Sequence, residues 1–402
     1  MKEPVDYLQI NLLGDTEQQL RLEKVRRGMR AASIGHALVS SNANLYYLTG
    51  RVFRGYIYIN VESGTSPLYF LRAPLHLRGE NVATIKRPAD MATILAEKAG
   101  GACADIALEL EGMSYSAAKR LAAVFGLDAP AADISPALRA ARAVKTDAEL
   151  EKIRRSGEKH VLVYGRIPHC YQEGMSEIEL QIEIERASRL EGCLGIFRCG
   201  GGEMEIFMGN VLTGANADTP SPYDFAMGGE GLDPSLPVGA NGTVIKPGSP
   251  VMVDMNGNYT GYMTDMTRCY SVGETVDAAR RANALSADIC RALAAMMKPG
   301  VEAKALYEKA VEMVRLAGME ASFMGHRSHA AFVGHGVGIE INELPVISPR
   351  SRDILEKGNV IALEPKFVIP GVGAVGIENT YAVGDNGGIL LTDAPEEIRR
   401  LD

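Results

Sequence analysis

Two aspartates flank a turn-rich stretch in the segment Val251–Tyr270, VMVDMNGNYTGYMTDMTRCY. Val251–Met255 alternates as a strand, Asn256–Gly261 supplies turn residues and Tyr262–Tyr270 returns as a strand, which predicts a hairpin. With the turn centred between Tyr259 and Thr260, Asp254 and Asp265 fall directly opposite each other on one face. Their Cβ atoms would then be ~5 Å apart. Carboxylates that close repel, so either one takes up a proton or a cation lies between them. An Asp pair beside a turn is also common on ordinary surfaces. Asp254, however, follows the apolar run Pro250–Val253 and precedes Met255, a setting in which a buried carboxylate needs a partner.

Three more residues extend this chemistry. His335 lies in FVGHGVG between Gly334 and Gly336, and glycine neighbours allow close backbone approach while leaving an imidazole free to ligate. Taken alone, such a histidine is more often a packed or surface residue than a ligand. His326 and His329, in MGHRSHAA, read as loop residues outside any ligand set. Glu364 closes the apolar strand VIALEP, and Glu378 sits inside AVGIENTY. Acidic residues in strand interiors are unusual unless they are paired or face solvent. Four carboxylates and one imidazole suit Mn²⁺, Fe²⁺, Co²⁺ or Zn²⁺. So many bridging-capable carboxylates point to two ions, ~3.5 Å apart, that activate a water or hydroxide.

The elements that must position these groups fall into two blocks. The chain has 402 residues, 46% of them hydrophobic and 23% charged, which suits two or three folded domains rather than disorder. Glu17–Ala32 carries Leu20, Leu22, Val25 and Met29 at helical spacing. Strands are predicted at His36–Ser40, Gly55–Val61 and Leu68–Leu71, with helices at Asn42–Gly50, Met91–Ala99 and Ser116–Phe125. This is an α/β N-terminal domain, assigned to residues 1–143. Residues 144–402 read as an α+β C-terminal domain with an antiparallel sheet. Its helices are predicted at 147–169, 176–191, 275–297 and 302–317, and its strand-like segments at 203–213, 250–271, 358–369 and 373–384.

Composition excludes several function classes. A net charge of −8 gives no electrostatic reason to expect nucleic acid or an anionic membrane as partner. The six cysteines form no regular framework and read as free thiols of a reducing compartment. Without a basic-then-apolar leader or an apolar run approaching ~20 residues, the expected location is the cytoplasm.

Taken in order, the Asp of a VD strand, the Asp of TDMTR, the His of GHGVG, the Glu of LEP and the Glu of IEN resemble the methionine aminopeptidase–prolidase–creatinase family. Its catalytic fold is called pita bread. The resemblance covers about residues 147–402. HALVSSNANLYYLTG resembles the creatinase/prolidase N-terminal domain, and RAVKTDAELEKIR resembles the family's interdomain junction. The resemblance implies that Asp254, Asp265, His335, Glu364 and Glu378 ligate two divalent ions (Mn, Co, Zn or Fe). It also implies that Glu378 bridges the ions and that Glu364 carries protons as the catalytic residue. Cleavage before proline, a peptide or small-molecule substrate and a homodimer are implied in the same way.

The chain departs from the family pattern at three places. Ser221 stands where a His is usual, Asn342 replaces a His in INELP, and Gly376 begins GIEN where RIED is frequent. Imidazole moves protons near neutral pH, whereas Ser and Asn do not. Asn342, Tyr223 and Asp224 are the candidate substrate contacts. The leading expectation is an Xaa-Pro dipeptidase or aminopeptidase. The alternatives are a pita-bread enzyme with other chemistry, such as small-molecule C–N hydrolysis or a lyase reaction, and a non-catalytic peptide- or protein-binding module.

Overall fold

The computed structural model describes residues 8–99, 105–200, 207–223 and 228–401. The chain divides into two compact units, Met1–Arg142 and Ala143–Asp402.

The first unit runs α1 (Asp15–Ala31), β1 (His36–Val39), α2 (Asn42–Thr49), β2 (Gly55–Asn60), β3 (Leu68–Arg72) and β4 (Val82–Ile85). It continues with α3 (Asp90–Ala99), β5 (Ile106–Leu108), α4 (Tyr115–Val124), β6 (Ala132–Asp133) and α5 (Ser135–Ala143). The strands form one mixed sheet in the order β4-β3-β2-β1-β5-β6. Leu22, Val25 and Met29 bury one face of α1, but Leu20 points outward. The buried stripe instead takes in Arg21 and Arg26. Their guanidinium groups donate to Tyr47 O (2.8 Å) and Asn60 O (3.0 Å), which makes their burial tolerable. Ser41 caps the start of α2, and Gly50 ends it with a left-handed φ of 75°.

The second unit opens with α6 (Asp147–Arg166) and α7 (Glu177–Leu190), each started by a capping box, Thr146–Glu149 and Ser176–Glu179. The helix predicted to reach residue 169 ends at Arg166 and tightens into a single 3₁₀ turn, Ile167–His169, because Pro168 brings no N–H to the α-helical ladder. Next come β7 (Gly209–Thr213), β8 (Pro250–Asn258), β9 (Met263–Ser271), α8 (Asp277–Met296) and α9 (Ala303–Ala317). The strand expected from residue 203 is seen from Gly209; residues 203–206 lie outside the described part. The remaining strands are β10 (Gly334–Gly336), β11 (Glu343–Ile347), β12 (Val360–Leu363), β13 (Lys366–Ile369), β14 (Gly373–Gly376), β15 (Asn379–Gly384), β16 (Gly387–Leu390) and β17 (Arg399–Arg400).

These strands form a four-stranded sheet, β17-β9-β8-β7, a five-stranded sheet, β11-β10-β12-β15-β16, and the β13-β14 ribbon. Pairing is antiparallel except for β17 on β9. The two larger sheets meet where Thr267 and Glu378 exchange backbone hydrogen bonds of 3.3 and 3.1 Å. Helices α8 and α9 supply Ile289, Leu293 and Leu306 to a buried cluster with Leu363, Val375 and Ile377. On the other side, Val163 of α6 and Ile184 of α7 join Val253 and Met266 in a second cluster. The strands carrying the polar centre therefore lie between apolar layers that exclude water from their backs.

Candidate metal centre

The β8–β9 hairpin brings its two aspartates to one face, but not opposite each other. Asp254 pairs with Thr267, and Asn256 pairs with Asp265. The turn lies one residue later than the sequence suggests. Gly261 supplies a left-handed φ of 86°, and its N–H donates to Asn258 Oδ1 at 3.1 Å. Moving the turn by one residue changes the partner by two, so the side-chain face is preserved while the pair becomes diagonal.

Short strand β10 delivers His335. A Cβ on Gly334 would lie 2.4 Å from Ala362 O, and one on Gly336 would lie 2.2 Å from Leu344 O. Only glycine lets strands β12 and β11 close on both sides of this histidine. Glu364 follows the end of β12, and Glu378 follows β14, so all five candidate ligands converge. His335 Nε2 lies 3.3 Å from Glu364 Oε1 and 3.9 Å from Asp265 Oδ2. Asp265, His335 and Glu378 each offer a ligand atom within 4.8 Å of the others. Glu378 Oε1 is buried with no hydrogen-bond partner, an acceptor that a cation would satisfy. This donor set fits a divalent ion.

Lys366, the first residue of β13, was not among the sequence-derived candidates. Its Nζ donates to Asp254 Oδ2 (2.7 Å), Glu364 Oε2 (2.8 Å) and Glu378 Oε2 (3.3 Å). Its side chain is 1% exposed. The hydroxyl of Thr267 lies 2.9 Å from Asp254 Oδ1 and 2.8 Å from Glu378 Oε2, with one proton to share between them. Behind the site, buried Arg268 donates to the carbonyls of Thr267 and Glu378 at 2.8 Å and to Asn379 Oδ1 at 2.7 Å. It locks the junction of the two sheets. Lys366 heads the apolar strand KFVI and Arg268 sits in the fully buried β9; a cation that is buried in this way must be paired.

Electrostatics divides Asp265, Glu364 and Glu378. Burial, then the charge of Asp265, pushes the Glu378 carboxyl well up. Burial, then Asp254, likewise raises Asp265. Burial alone would raise Glu364, but Lys366 and His335 outweigh it and hold that carboxyl low. Burial would lower His335, but Glu364 and Asp265 outweigh it and raise the imidazole to about 9. Without a metal, then, the centre leans on its own cations and on protons to offset crowded carboxylates. A metal ion would take over that role.

The expected substrate contacts lie in different settings. Asn342 is engaged with the backbone of Gly200: its Oδ1 accepts from Gly200 N (2.7 Å), and its Nδ2 donates to Gly200 O (2.9 Å). Glu343, the next residue, turns away to Lys145 Nζ at 2.9 Å. Tyr223 N donates to Ser221 Oγ (3.0 Å), and both residues line a small cavity with His326, Arg327 and His329. The two histidines occupy a loop, with their Nδ1 atoms 3.2 Å from Ala321 O and 2.8 Å from Phe323 O. Asp224 lies outside the described residues.

Fold and site together define a metallopeptidase of the pita-bread class. Residues 151–385 match metallopeptidase family M24, and the chain belongs to that family. Residues 21–144 match the creatinase/prolidase N-terminal domain. The chain is 28% identical over 397 residues to the "Uncharacterized peptidase YqhT" of Bacillus subtilis, covering 94% of this chain and 99% of that one. It is 26% identical over 383 residues to the Xaa-Pro dipeptidase of Pyrococcus furiosus, covering 94% and 99%. The fold is shared with the Xaa-Pro dipeptidase from Bacillus anthracis, with a TM-score of 0.79, 22% identity and coverage of 95% and 99%. It is also shared with the X-Pro aminopeptidase from Thermotoga maritima, with a TM-score of 0.75, 24% identity and coverage of 93% and 99%.

Proposed function

We propose that this chain hydrolyses the bond before proline in dipeptides or short peptides, using divalent metal (Mn, Co, Zn or Fe) at Asp254, Asp265, His335, Glu364 and Glu378. The observation that carries the reading is the convergence of these five side chains beside the orphaned Glu378 Oε1. The near full-length match to an Xaa-Pro dipeptidase supports the substrate class. A bound divalent ion supplies Lewis acidity toward a carbonyl and lowers the pKa of water.

The protein groups do the rest. Glu364, held ionised by Lys366 and His335, would take the proton given up by the attacking water and return it to the leaving nitrogen. Asn342 holds the backbone of Gly200, a positioning role in this reading. Tyr223 and Asp224 are proposed as contacts for the substrate. The described cysteines are free thiols, which fits a cytoplasmic setting.

The test is a panel of Xaa-Pro dipeptides, longer Xaa-Pro peptides and small C–N substrates such as creatine, assayed with each metal. Turnover confined to the Xaa-Pro peptides is the expected outcome. Turnover of creatine-type substrates alone, or of none under any metal condition, would overturn the reading.

A further inference from the structure

Resting on that reading but narrowing its ligand set, we propose that the Lys366 ammonium takes the place of a second metal ion, so that the centre binds one divalent cation per chain through Asp265, His335, Glu364 and Glu378, with Asp254 serving the ammonium instead. An ion sharing Asp254 Oδ2, Glu364 Oε2 and Glu378 Oε2 would have to sit between those three oxygens, and Nζ already stands there at 2.7, 2.8 and 3.3 Å. An ammonium has three N–H donors, and all three have a carboxylate to meet. The ammonium and a metal cannot both occupy the space, because metal–oxygen bonds of about 2.0–2.2 Å would put the ion on top of the nitrogen. Asp254 has no idle oxygen either, since its Oδ1 lies 2.9 Å from the Thr267 hydroxyl.

The opposite side of the same carboxylates is arranged differently. Glu364 turns Oε1, the oxygen Lys366 does not use, toward His335 Nε2 at 3.3 Å. Glu378 leaves Oε1 buried and unpartnered. Asp265, His335 and Glu378 each offer a ligand atom within 4.8 Å of the others, and Glu364 Oε1 stands beside His335, a donor set for one ion. Glu364 and Glu378 would thus bridge one metal and one ammonium. The backbone is built around this lysine. A Cβ on Gly376, directly across the β13–β14 ribbon, would lie 2.9 Å from Lys366 Cα, so the close strand pairing that aims the side chain depends on glycine there. Gly376 also has a φ of 147°, which side chains rarely adopt.

The experiment is metal stoichiometry on the full chain, stripped with chelator and dialysed against Mn²⁺. Bound ions are counted by elemental analysis, and their coupling is read by electron paramagnetic resonance. The wild-type protein is expected to plateau at one Mn²⁺ per chain with the spectrum of an isolated ion. Lys366→Ala is expected to take up a second ion and show a spin-coupled pair. Two coupled ions in the wild type would overturn the lysine assignment and leave the metal reading intact. No bound ion would overturn both. One ion in both proteins would remove the lysine as the cause. Two coupled ions in the wild type overturn the proposal whether or not the variant folds, and Lys366→Met, which keeps the apolar stem, serves as the second variant for the same count.

Discussion

Among the described residues of the catalytic unit two lysines are buried, and their surroundings differ. Lys145 Nζ meets one carboxylate, Glu343, at 2.9 Å, with Ala143 O at 3.3 Å. The other oxygen of Glu343 accepts from Ile339 N (3.1 Å) and Glu340 N (3.2 Å). The lysine charge is met by a carboxylate, and both oxygens of that carboxylate have partners. Lys366 instead faces three carboxylates, with Asp265 close by, and one oxygen of Glu378 remains without a partner. The first arrangement is complete in itself and holds the turn after His335. The second is short of positive charge and calls for a ligand. In a buried region, an unbalanced cluster rather than an ion pair as such marks the place for chemistry.

Breaking the balanced pair should cost stability and nothing else. Glu343→Gln leaves Lys145 buried without its counter-charge, and the unit is expected to lose about 3–5 kcal/mol of stability. Chemical denaturation measures the loss, and the metal content of the folded protein should not change. Metal loss in the folded variant would mean that Glu343 belongs to the centre after all.

A smaller change probes the unbalanced side. Thr267→Val removes the hydroxyl shared between Asp254 and Glu378 without changing the side chain's shape. Metal affinity should fall roughly 10–100-fold, the usual cost of losing a hydrogen-bonded support for a ligand. Competition with a chromophoric chelator reads this directly, and unchanged affinity would show that the hydroxyl orients neither carboxylate.

The smallest effect concerns a buried group that belongs to neither cluster. Burial, then the charge of Arg268, lowers His160 to about 3. Its Nδ1 lies 3.0 Å from Thr264 Oγ1. The folded protein refuses a proton that the unfolded chain accepts below about pH 6.5. Stability is therefore fully present above that value and falls as the pH drops toward about 3. The slope is at most about 1.4 kcal/mol per pH unit from this one group. Comparing denaturation at pH 7 and pH 5 for the wild type and His160→Gln should show a flatter pH dependence in the variant. Equal slopes would mean that His160 is not the group responsible.

Much of this site was legible in the sequence because it rests on local rules. Alternation in β8 and β9 set the face of Asp254 and Asp265, and parity survives a misplaced turn. The register did not follow, because Asn258 and Gly261 close the turn one residue beyond the apparent centre. The glycines beside His335 announced close packing, although β10, with three residues, is too short to show periodicity. What stayed hidden depends on distant partners. Lys145 and Glu343 are 198 residues apart, and Asn342 and Gly200 are 142 apart. Lys366 heads the apolar stretch KFVI and resembles a strand-edge lysine until the fold turns it inward onto Asp254.

His335 is the only imidazole among the five proposed ligands. His335→Ala, confirmed to be folded by circular dichroism, should be assayed for metal content and Xaa-Pro hydrolysis in the same preparation. The expected result is loss of the bound metal together with loss of turnover. A folded variant that keeps its metal and still cleaves Xaa-Pro peptides would contradict the assignment of this centre as the seat of hydrolysis.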